Sequence, residues 1–353
     1  MQTTGHFMPR HARAKRHQPK SQPARPKLLV AVAGASGRLG LHVLRKLRSH
    51  RWRCVALVRS RAAAQKLPKG INWRLVDYSD VDALALTLAD VTHIVNCTGR
   101  PDQNSSLHEM MAANVLPTRA LLIASPAALQ KFVHISSISV YGWNPKSGAD
   151  EFSPRRPDTP YAHSKLEAEK LVLAQAHKRP VVVLQPGMIF GTDFHEGFWP
   201  ALRMIMQGQM RILGSGKNRL PLVHVDDVAR GIICALRAPV ISGSVFLLVG
   251  PEQITQEKAI SSAAVELGVM APQSHLSLHL ANLMSHSHSF VRSLQGRQSS
   301  LSPEMVRQMS SDRFFDCSRA RTLLHWRPSV PFKIGLRQVV SQFESSQRGE
   351  SYG

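Results

Sequence analysis

The chain contains few cysteines, no long apolar run and few acidic residues. Its four cysteines are scattered among 353 residues, without a C-x-x-C pair. This spacing favours reduced core thiols over a disulfide framework or a metal site, so we predict a cytoplasmic protein that holds no metal. No apolar stretch reaches the roughly 18 residues that a membrane-spanning helix requires. The length suits one large core with an additional lobe, or two small domains.

Acidic side chains are outnumbered, because 45 Lys and Arg residues face 23 Asp and Glu residues, which gives a formal net charge of +22. Residues 1–27 hold seven of the basic residues, four prolines and no acid. This composition predicts a disordered basic tail over residues 1–26. The tail lacks the apolar core of a secretory signal. A solvated tail, a transit peptide and a contact with polyanions such as nucleic acid or an acidic membrane all remain open.

A glycine-rich turn follows the first apolar run. Residues 27–33, KLLVAVA, predict a buried parallel strand, and apolar residues at helical spacing follow the turn. Strand, glycine turn and helix are the context of a dinucleotide fingerprint. In it, Gly34 forms the tight turn, Gly37 lets the backbone approach the pyrophosphate, and Gly40 lets helix and strand pack closely. We therefore predict that the helix N-terminus attracts the phosphates, and that the turn binds the cofactor through Gly34, Ser36, Gly37, Arg38, Leu39 and Gly40.

The ends of the next strands carry further cofactor candidates. A second strand, Cys54–Val58, ends at Arg59, where an NAD site usually has an acid for the ribose 2′-hydroxyl. A guanidinium grips a 2′-phosphate instead, so the sequence favours NADP, with NAD and a merely solvated basic turn as alternatives. A third strand, residues 73–76, ends at an acid that suits the adenine amino group. A fourth, residues 93–97, ends beside a glycine that allows close approach. These strand ends add Asp77, Tyr78, Asn96, Thr98 and Gly99 to the predicted cofactor site.

The chemistry is predicted to lie in the segment YAHSK, residues 161–165. A tyrosine four residues before a lysine shares its helix face, and a neighbouring ammonium lowers the pKa of a phenol. Tyr161 is thereby suited to move a proton at a carbinol or a carbonyl. Upstream, the strand over residues 131–137 ends at Ser137, whose hydroxyl is placed to hydrogen-bond the substrate oxygen. We predict Ser137, Tyr161 and Lys165 as the catalytic set.

With these segments in this order, the chain resembles the extended short-chain dehydrogenases/reductases, of the NAD-dependent epimerase/dehydratase kind. The resemblance rests on GASGRLG, HISSISVYG, PYAHSK, QPGMIFG and PLVHVDDVARGI, within residues 27–345. It implies an α/β fold of the Rossmann type, a doubly wound parallel sheet with a smaller C-terminal substrate lobe. It also implies that Lys165 holds the nicotinamide ribose and tunes Tyr161, that Asn114 is a structural asparagine, and that Pro186 and Ile189 line the nicotinamide.

The resemblance divides the chain. Residues 27–187, completed by about 223–249, form the NAD(P)-binding domain, residues 188–222 and 250–345 form the substrate lobe, and residues 346–353 form a flexible terminus. Gln185 and a displaced Arg219 depart from the arginines of sugar-nucleotide epimerases, which argues against UDP-sugar binding. The histidine-rich residues 272–303 predict a lid or insertion over the substrate rather than a metal site. Asp227 is expected to cap a helix or to bond within the core.

The sequence thus predicts an NAD(P)-dependent oxidoreductase or epimerase that moves hydride at a secondary alcohol or ketone, with sugar nucleotides among the candidate substrates. Arg59 favours a reductase, because NADPH commonly drives reductions. The alternative is a redox-idle subunit that binds NADP(H), against which the complete Ser–Tyr–Lys set argues. The predicted partner is a small carbonyl or alcohol compound, while the substrate's identity and the presence of a homodimer stay open.

Overall fold

The centre of the molecule is a sheet of seven parallel strands. The structure is a computed structural model that describes residues 28–101, 105–143, 148–285 and 303–349, with only the backbone of residues 195 and 196. The strand order is β11-β6-β5-β4-β1-β2-β3. Short apolar runs form these strands because both faces of a parallel sheet are buried. The strands are β1 Val30–Ala33, β2 Cys54–Val58, β3 Asn72–Leu75, β4 His93–Asn96, β5 Lys131–Ile135, β6 Val181–Pro186 and β11 Ser244–Leu248.

Helices cover both faces of the sheet. Alternate residues of a strand point to opposite faces, so Val30 and Val32 pack with helices α1 and α8. Ala31 and Ala33 pack with α3, α5 and α6 on the other face. This two-faced packing around a parallel sheet is a Rossmann-type α/β fold, which confirms the predicted fold class. The helices of this part are α1 Arg38–Ser49, α2 Arg61–Ala64, α3 Val81–Leu88, α4 Leu107–Asn114, α5 Leu116–Ala124, α6 Pro160–Leu173 and α8 Val225–Arg237.

A second, smaller core packs beside the carboxyl end of β6. It gathers apolar side chains of three helices, with Leu202, Ile260 and Val340 among the buried ones. Two parallel strand pairs and one antiparallel pair complete this lobe. Its elements are β7 Met188–Phe190, α7 His195–Met206, β8 Ile212–Leu213, β9 Arg219–Leu220, β10 Leu222–His224, β12 Ile254–Thr255, α9 Gln256–Glu266, β13 His275–Leu276, α10 Pro303–Ser310 and α12 Phe332–Gln347. The helix between the last two, α11 Ser318–Leu323, packs against β11 in the main core instead.

Two local predictions can be compared with the structure. Because proline cannot donate a backbone hydrogen bond, a helix near Asn114 and Leu122 that contains Pro117 is expected to begin late or to kink. The helical run breaks at Val115 and Pro117 stands in the first turn of α5, which confirms this expectation. Asp227 is buried and accepts hydrogen bonds from the backbone nitrogens of Ser329 (3.0 Å) and Val330 (3.1 Å), which confirms a core-bonding role.

Several predicted boundaries shift or fall outside the described residues. Strand β1 begins at Val30, and α12 continues to Gln347, two residues into the stretch predicted to be flexible. The basic tail and most of the histidine-rich segment, residues 286–302, lie outside the described part of the chain. Within the described part, no helix is long and apolar enough to cross a membrane, and no group of three His, Cys, Asp or Glu residues is arranged to hold a metal ion. All four cysteines are unpaired.

Candidate active site

The glycine turn between β1 and α1 needs its glycines for packing. Gly34 has φ +70°, and a Cβ there would lie 2.6 Å from the carbonyl oxygen of Cys97 at the end of β4. A Cβ at Gly40 would overlap the carbonyl oxygen of Gly34. Gly37 is the N-cap of α1, gives no side-chain cap, and no acid occupies the first helical turn. The turn therefore offers backbone and the positive end of a helix dipole to an anion, which fits the pyrophosphate of a dinucleotide.

The ends of β2 and β3 bring Arg59 near Tyr78. Burial raises the pKa of Tyr78 to about 12, while the charge of Arg59 acts to lower it, so the two side chains are neighbours. Arg59 is exposed. Asp77 is also exposed, and its Oδ1 accepts hydrogen bonds from the backbone nitrogen (2.8 Å) and the hydroxyl (2.7 Å) of Ser79. That oxygen is already engaged, so the predicted adenine contact would need Oδ2.

The end of β4 is fixed by Asn96. Its Oδ1 accepts hydrogen bonds from the backbone nitrogen (3.0 Å) and the hydroxyl (2.6 Å) of Thr98, and its Nδ2 donates to Thr118 Oγ1 at 3.0 Å. The chain then reaches Gly99, which has φ +153°, and a Cβ there would lie 3.6 Å from Lys165 Nζ. The predicted cofactor segment of β4 thus lies directly against the predicted catalytic helix.

Asn114 connects this segment to α6. Its Oδ1 accepts a hydrogen bond from the backbone nitrogen of Arg100 at 2.7 Å, and its Nδ2 donates to Ser164 Oγ at 2.7 Å. Ser164 Oγ in turn donates to the carbonyl oxygen of Tyr161 at 2.8 Å. Because all three bonds are buried or partly buried, Asn114 fixes the position of the first turn of α6, which agrees with the structural role that the resemblance implies.

The three predicted catalytic residues lie together at the carboxyl end of β5. Thr159 caps α6 by accepting a hydrogen bond from the backbone nitrogen of Ala162, which sets Tyr161 in the first turn. Ser137 caps the 3-10 turn Ile138–Tyr141 that follows β5, and its hydroxyl lies close enough to the Tyr161 phenol to act on the pKa of that phenol. One turn after Tyr161, Lys165 Nζ donates to the carbonyl oxygen of Ile135 at 2.5 Å.

One electrostatic expectation from the sequence is wrong. Burial raises the pKa of Tyr161 above its ordinary value, and the neighbouring Ser137 hydroxyl offsets only part of this rise. The ammonium of Lys165 is directed at the Ile135 carbonyl. Burial also lowers the pKa of Lys165 to about 8, and the negative charge of Glu169 opposes part of this shift. Tyr161 is consequently a protonated phenol at neutral pH, next to a buried lysine that is largely charged.

A buried polar network that the sequence did not reveal supports α6. Glu169 is 1% exposed, and its carboxylate accepts hydrogen bonds from Ser136 Oγ (2.6 Å) and Gln185 Nε2 (2.9 Å). Arg155 Nη2 lies 3.5 Å from the same carboxylate, and Tyr141 donates its hydroxyl proton to Gln185 Oε1 at 2.7 Å. The available signal was the spacing of Glu169 four residues after Lys165, on the same helix face.

A second charged cluster, also missed, links α1 to the smaller lobe. His42 on α1 hydrogen-bonds Asp226 on α8 at 2.9 Å and Asp193 at 3.2 Å, while Gln342 of α12 accepts from the Asp193 backbone nitrogen. Burial acts to lower the pKa of His42, but the two aspartates outweigh it and leave that pKa raised. The hydrogen bond with His42 lowers the pKa of Asp193 to about 2. The cluster therefore forms a charged clamp that joins α1 to α8 and, through Asp193, to Gln342 of α12.

Pro186 and Ile189 lie at the carboxyl end of β6, the neighbour of β5. Pro186 is buried and pairs with Leu248 of β11, and Ile189 on β7 is partly buried and pairs with Val223. All the predicted cofactor and catalytic residues thus lie at one edge of the sheet or in the segments that follow it, where ligands of open α/β sheets bind. Their individual roles remain predictions.

Comparison with known proteins identifies similar enzymes. A sequence model of the NAD-dependent epimerase/dehydratase family matches residues 30–248. The dTDP-glucose 4,6-dehydratase of Streptomyces niveus is 32% identical over 291 residues, which cover 78% of this chain and 77% of that protein. The 4-hydroxy-2-methyl-3-oxo-4-farnesyl-3,4-dihydroquinoline-1-oxide ketoreductase of Stigmatella aurantiaca is 28% identical over 263 residues, covering 72% and 78%. The crystal structure of UDP-glucuronic acid 4-epimerase from Bacillus cereus in complex with NAD superimposes with a TM-score of 0.70 at 22% sequence identity. The superposition covers 92% of this chain and 100% of that chain, and it shows that the two folds are alike.

Proposed function

The chain belongs to the NAD-dependent epimerase/dehydratase family, and we propose that it moves hydride at a secondary alcohol or ketone carbon of a sugar nucleotide. The observation that best supports this proposal is the proximity of Ser137, Tyr161 and Lys165 at the carboxyl end of β5, where Lys165 Nζ bonds the Ile135 carbonyl and lies next to Gly99. A ketone outside a sugar nucleotide is the second substrate class, because the Stigmatella relative is named a ketoreductase. The relatives, which carry enzyme names, give no support to a redox-idle subunit.

The proposed roles follow from protonation states and contacts. A bound nicotinamide dinucleotide supplies or accepts the hydride. Tyr161, a protonated phenol at neutral pH, donates its proton to the carbonyl oxygen during reduction and takes it back during oxidation. Ser137, which lies next to the phenol, holds the same substrate oxygen. Lys165, 3% exposed, keeps a positive charge under the ribose side of the site, next to Gly99.

The test of this proposal is Tyr161→Phe, which removes only the phenolic hydroxyl. We expect turnover with UDP- and dTDP-sugars or model ketones to fall about a hundredfold or more, as for a positioned acid/base. Binding of NADH, measured by fluorescence titration, should stay within about twofold. Tyr141→Phe is the matched control, because it removes a buried hydroxyl that bonds Gln185. Equal turnover in both variants would overturn the assignment.

For the cofactor, we propose a preference for NADP(H) over NAD(H), although the family is described as NAD-dependent. What supports the preference is Arg59, exposed at the end of β2 beside Tyr78, where it can bind a 2′-phosphate. Arg59→Ala should abolish the difference in affinity between NADPH and NADH. Arg53→Ala is the matched control, because Arg53 is exposed at the opposite end of the same strand. Equal affinities in the wild type would refute the preference.

The basic tail is proposed to contact polyanions together with the amino edge of the sheet. There, Arg48, Arg53 and Trp73 line a groove of about 630 Å³ close to the start of β1. Removing residues 1–26 should leave NADH binding intact and weaken salt-dependent retention on single-stranded DNA or acidic vesicles. Unchanged retention at every salt concentration would exclude a role for the tail.

We also propose a substrate lobe built from residues 188–222 and 250–345, with the exception of the stretch 315–326, whose Phe315, Ala320 and Trp326 pack in the main core.

A homodimer and a cytoplasmic location are proposed as well. Exposed apolar side chains on α4 and α5 support the dimer, namely Leu107, Leu116 and Ile123. Ile123→Glu should shift the sedimentation coefficient of the protein from dimer to monomer. The unpaired cysteines agree with a reducing compartment.

A further inference from the structure

The smaller lobe contains an arginine that is buried without a carboxylate at ion-pair distance among the described residues. Arg313 is 4% exposed, and its Nε has no hydrogen-bond partner within the described part of the chain. Its Nη2 lies 3.2 Å from the thioether sulfur of Met188, and its guanidinium stacks 4.9 Å from the ring centroid of Trp143. Burial lowers the pKa of Arg313 to about 10, partly opposed by the charge of Asp158, so the group is a cation at neutral pH. A buried cation with such weak acceptors destabilises a fold unless a bound ligand supplies a hydrogen-bond acceptor.

A second unsatisfied donor touches this arginine. The indole Nε1 of Trp143 is buried and has no hydrogen-bond partner in the described ranges. The position of Trp143 is fixed, because its backbone nitrogen donates to Asp158 Oδ2 at 3.1 Å. Arg313 Nε and Trp143 Nε1 are two buried N–H donors on side chains that face each other at 4.9 Å, each without a partner among the described residues, and they indicate a missing acceptor. An oxyanion is the acceptor that satisfies a guanidinium and an indole together.

The location of this pair points to the substrate. Trp143 follows the 3-10 turn that Ser137 caps, and Asp158 precedes Tyr161 by three residues. Met188 follows Pro186 by two residues, on β7. The three elements that surround Arg313 are therefore continuations of the segments that carry the predicted catalytic and nicotinamide residues.

Neighbouring charges do not replace the missing acceptor. Arg219, whose carbonyl oxygen accepts the backbone N–H of Arg313 at 3.1 Å, is itself held by Asp312 through a bond from Nε of 2.8 Å. Asp158 is exposed and engages the Trp143 backbone, while Glu304 lies near Asp158. These acids remain outside ion-pair distance of the guanidinium, so an incoming oxyanion meets a cation that is not neutralised by direct contact.

We infer that Arg313 and the Trp143 indole N–H bind an oxyanion of the substrate, a carboxylate or a phosphate. The inference deepens the proposed function, on which it rests for the presence of a substrate next to Tyr161. It predicts that neutral alcohols and ketones bind poorly, and that the anionic group is held on the lobe side of the reacting carbon. Such a contact selects substrates, because an analogue without the oxyanion would leave two buried donors unsatisfied.

The test is equilibrium binding to the full chain with NADH present. Inorganic phosphate, UDP, UDP-glucose, UDP-glucuronate and free glucuronate are titrated calorimetrically, with glucose as the neutral probe. Arg313→Met keeps the apolar volume and removes the charge, and it should weaken the preferred oxyanion at least tenfold. Loss for phosphate and UDP assigns the site to a phosphate, whereas loss confined to the glucuronates assigns it to a carboxylate. Arg156→Met is the matched control, because Arg156 is exposed near the same turn and should change affinity less than twofold.

Two further readouts keep the test decisive. Arg313→Met should raise the thermal midpoint, because it removes an unneutralised buried charge, whereas a purely structural arginine would lower it. Trp143→Phe keeps an aromatic ring and loses the indole N–H, so it should lower the affinity for the same probe by about twofold to tenfold. This variant replaces Arg313→Met as the test if Arg313→Met does not fold. Unchanged affinities in these variants, or no oxyanion binding to the wild type, would overturn the inference. NADH affinity, measured on the same samples, tests the proposed function separately.

Discussion

Removing the carboxylate of Glu169 should destabilise the protein far more than its position outside the catalytic set suggests. In Glu169→Ala, the buried donors of Ser136 and Gln185 lose their acceptor, and each unsatisfied group costs about 1–3 kcal/mol. Arg155 is 20% exposed and can hydrogen-bond water after the substitution, so its contribution to the loss of stability is left out of the sum. Two such groups sum to about 2–6 kcal/mol in the free energy of unfolding, which includes the range of about 3–5 kcal/mol for breaking a buried charged network.

The assay is urea denaturation followed by circular dichroism, with the slopes compared among variants. Glu167→Ala is the matched control on the same helix, because Glu167 is 44% exposed and its partner Lys170 is 60% exposed. An exposed pair of this kind contributes at most about 1 kcal/mol. A loss below about 1 kcal/mol for Glu169→Ala, or equal losses in both variants, would refute the energetic reasoning.

Three more outcomes follow from charge and backbone geometry. Turnover should fall as pH rises through about 8, where Lys165 loses its proton. Glu169→Gln should shift this alkaline fall of turnover to lower pH, because Glu169 acts to raise the pKa of Lys165. An alkaline fall at the same pH in both proteins would contradict this coupling. His42 has a raised pKa in the fold, so its stabilisation is complete below about 6.5 and is lost as pH rises through the folded value. The difference in unfolding free energy between wild type and His42→Gln should therefore narrow from pH 6 to pH 9, and a constant difference would speak against the clamp. Gly34→Ala should abolish NADH binding, because φ is +70° and a Cβ would meet Cys97, whereas Gly197→Ala, with nothing within 4 Å, should bind NADH normally.

Local features of the fold were predictable because short-range chemistry decides them. The second strand, Cys54–Val58, was predicted with the bounds that the structure has, since its apolar run is closed by charged residues. The break at Val115 followed from Pro117, which cannot donate a backbone hydrogen bond inside a helix. The grouping of the glycine turn, Ser137 and Tyr161 at one sheet edge followed from parallel strands, whose carboxyl ends all meet there.

Long-range packing decided what the sequence could not show. The sequence placed Lys165 next to Tyr161 but could not show that its ammonium bonds the Ile135 carbonyl, nor that burial raises the pKa of Tyr161. Arg313 is separated from Met188 by over a hundred residues, so only the fold brings them to 3.2 Å. The network of Glu169 likewise joins residues from four separate segments. Partners of this kind carry no periodic signal, and side-chain burial cannot be derived from spacing alone.

The route of the chain between two neighbouring strands affects how the protein is made. Strands β6 and β11 pair side by side, yet residues 187–243, with much of the smaller lobe and the helix α8, lie between them. During synthesis, β6 therefore lacks a pairing strand on one side until Ser244–Leu248 has left the ribosome. The sheet face that α8 covers stays exposed to solvent for nearly as long. Unpaired apolar edges of this sort attract other chains, and distant pairing is slow. A nascent chain halted before residue 244 is accordingly expected to depend on chaperones to avoid aggregation.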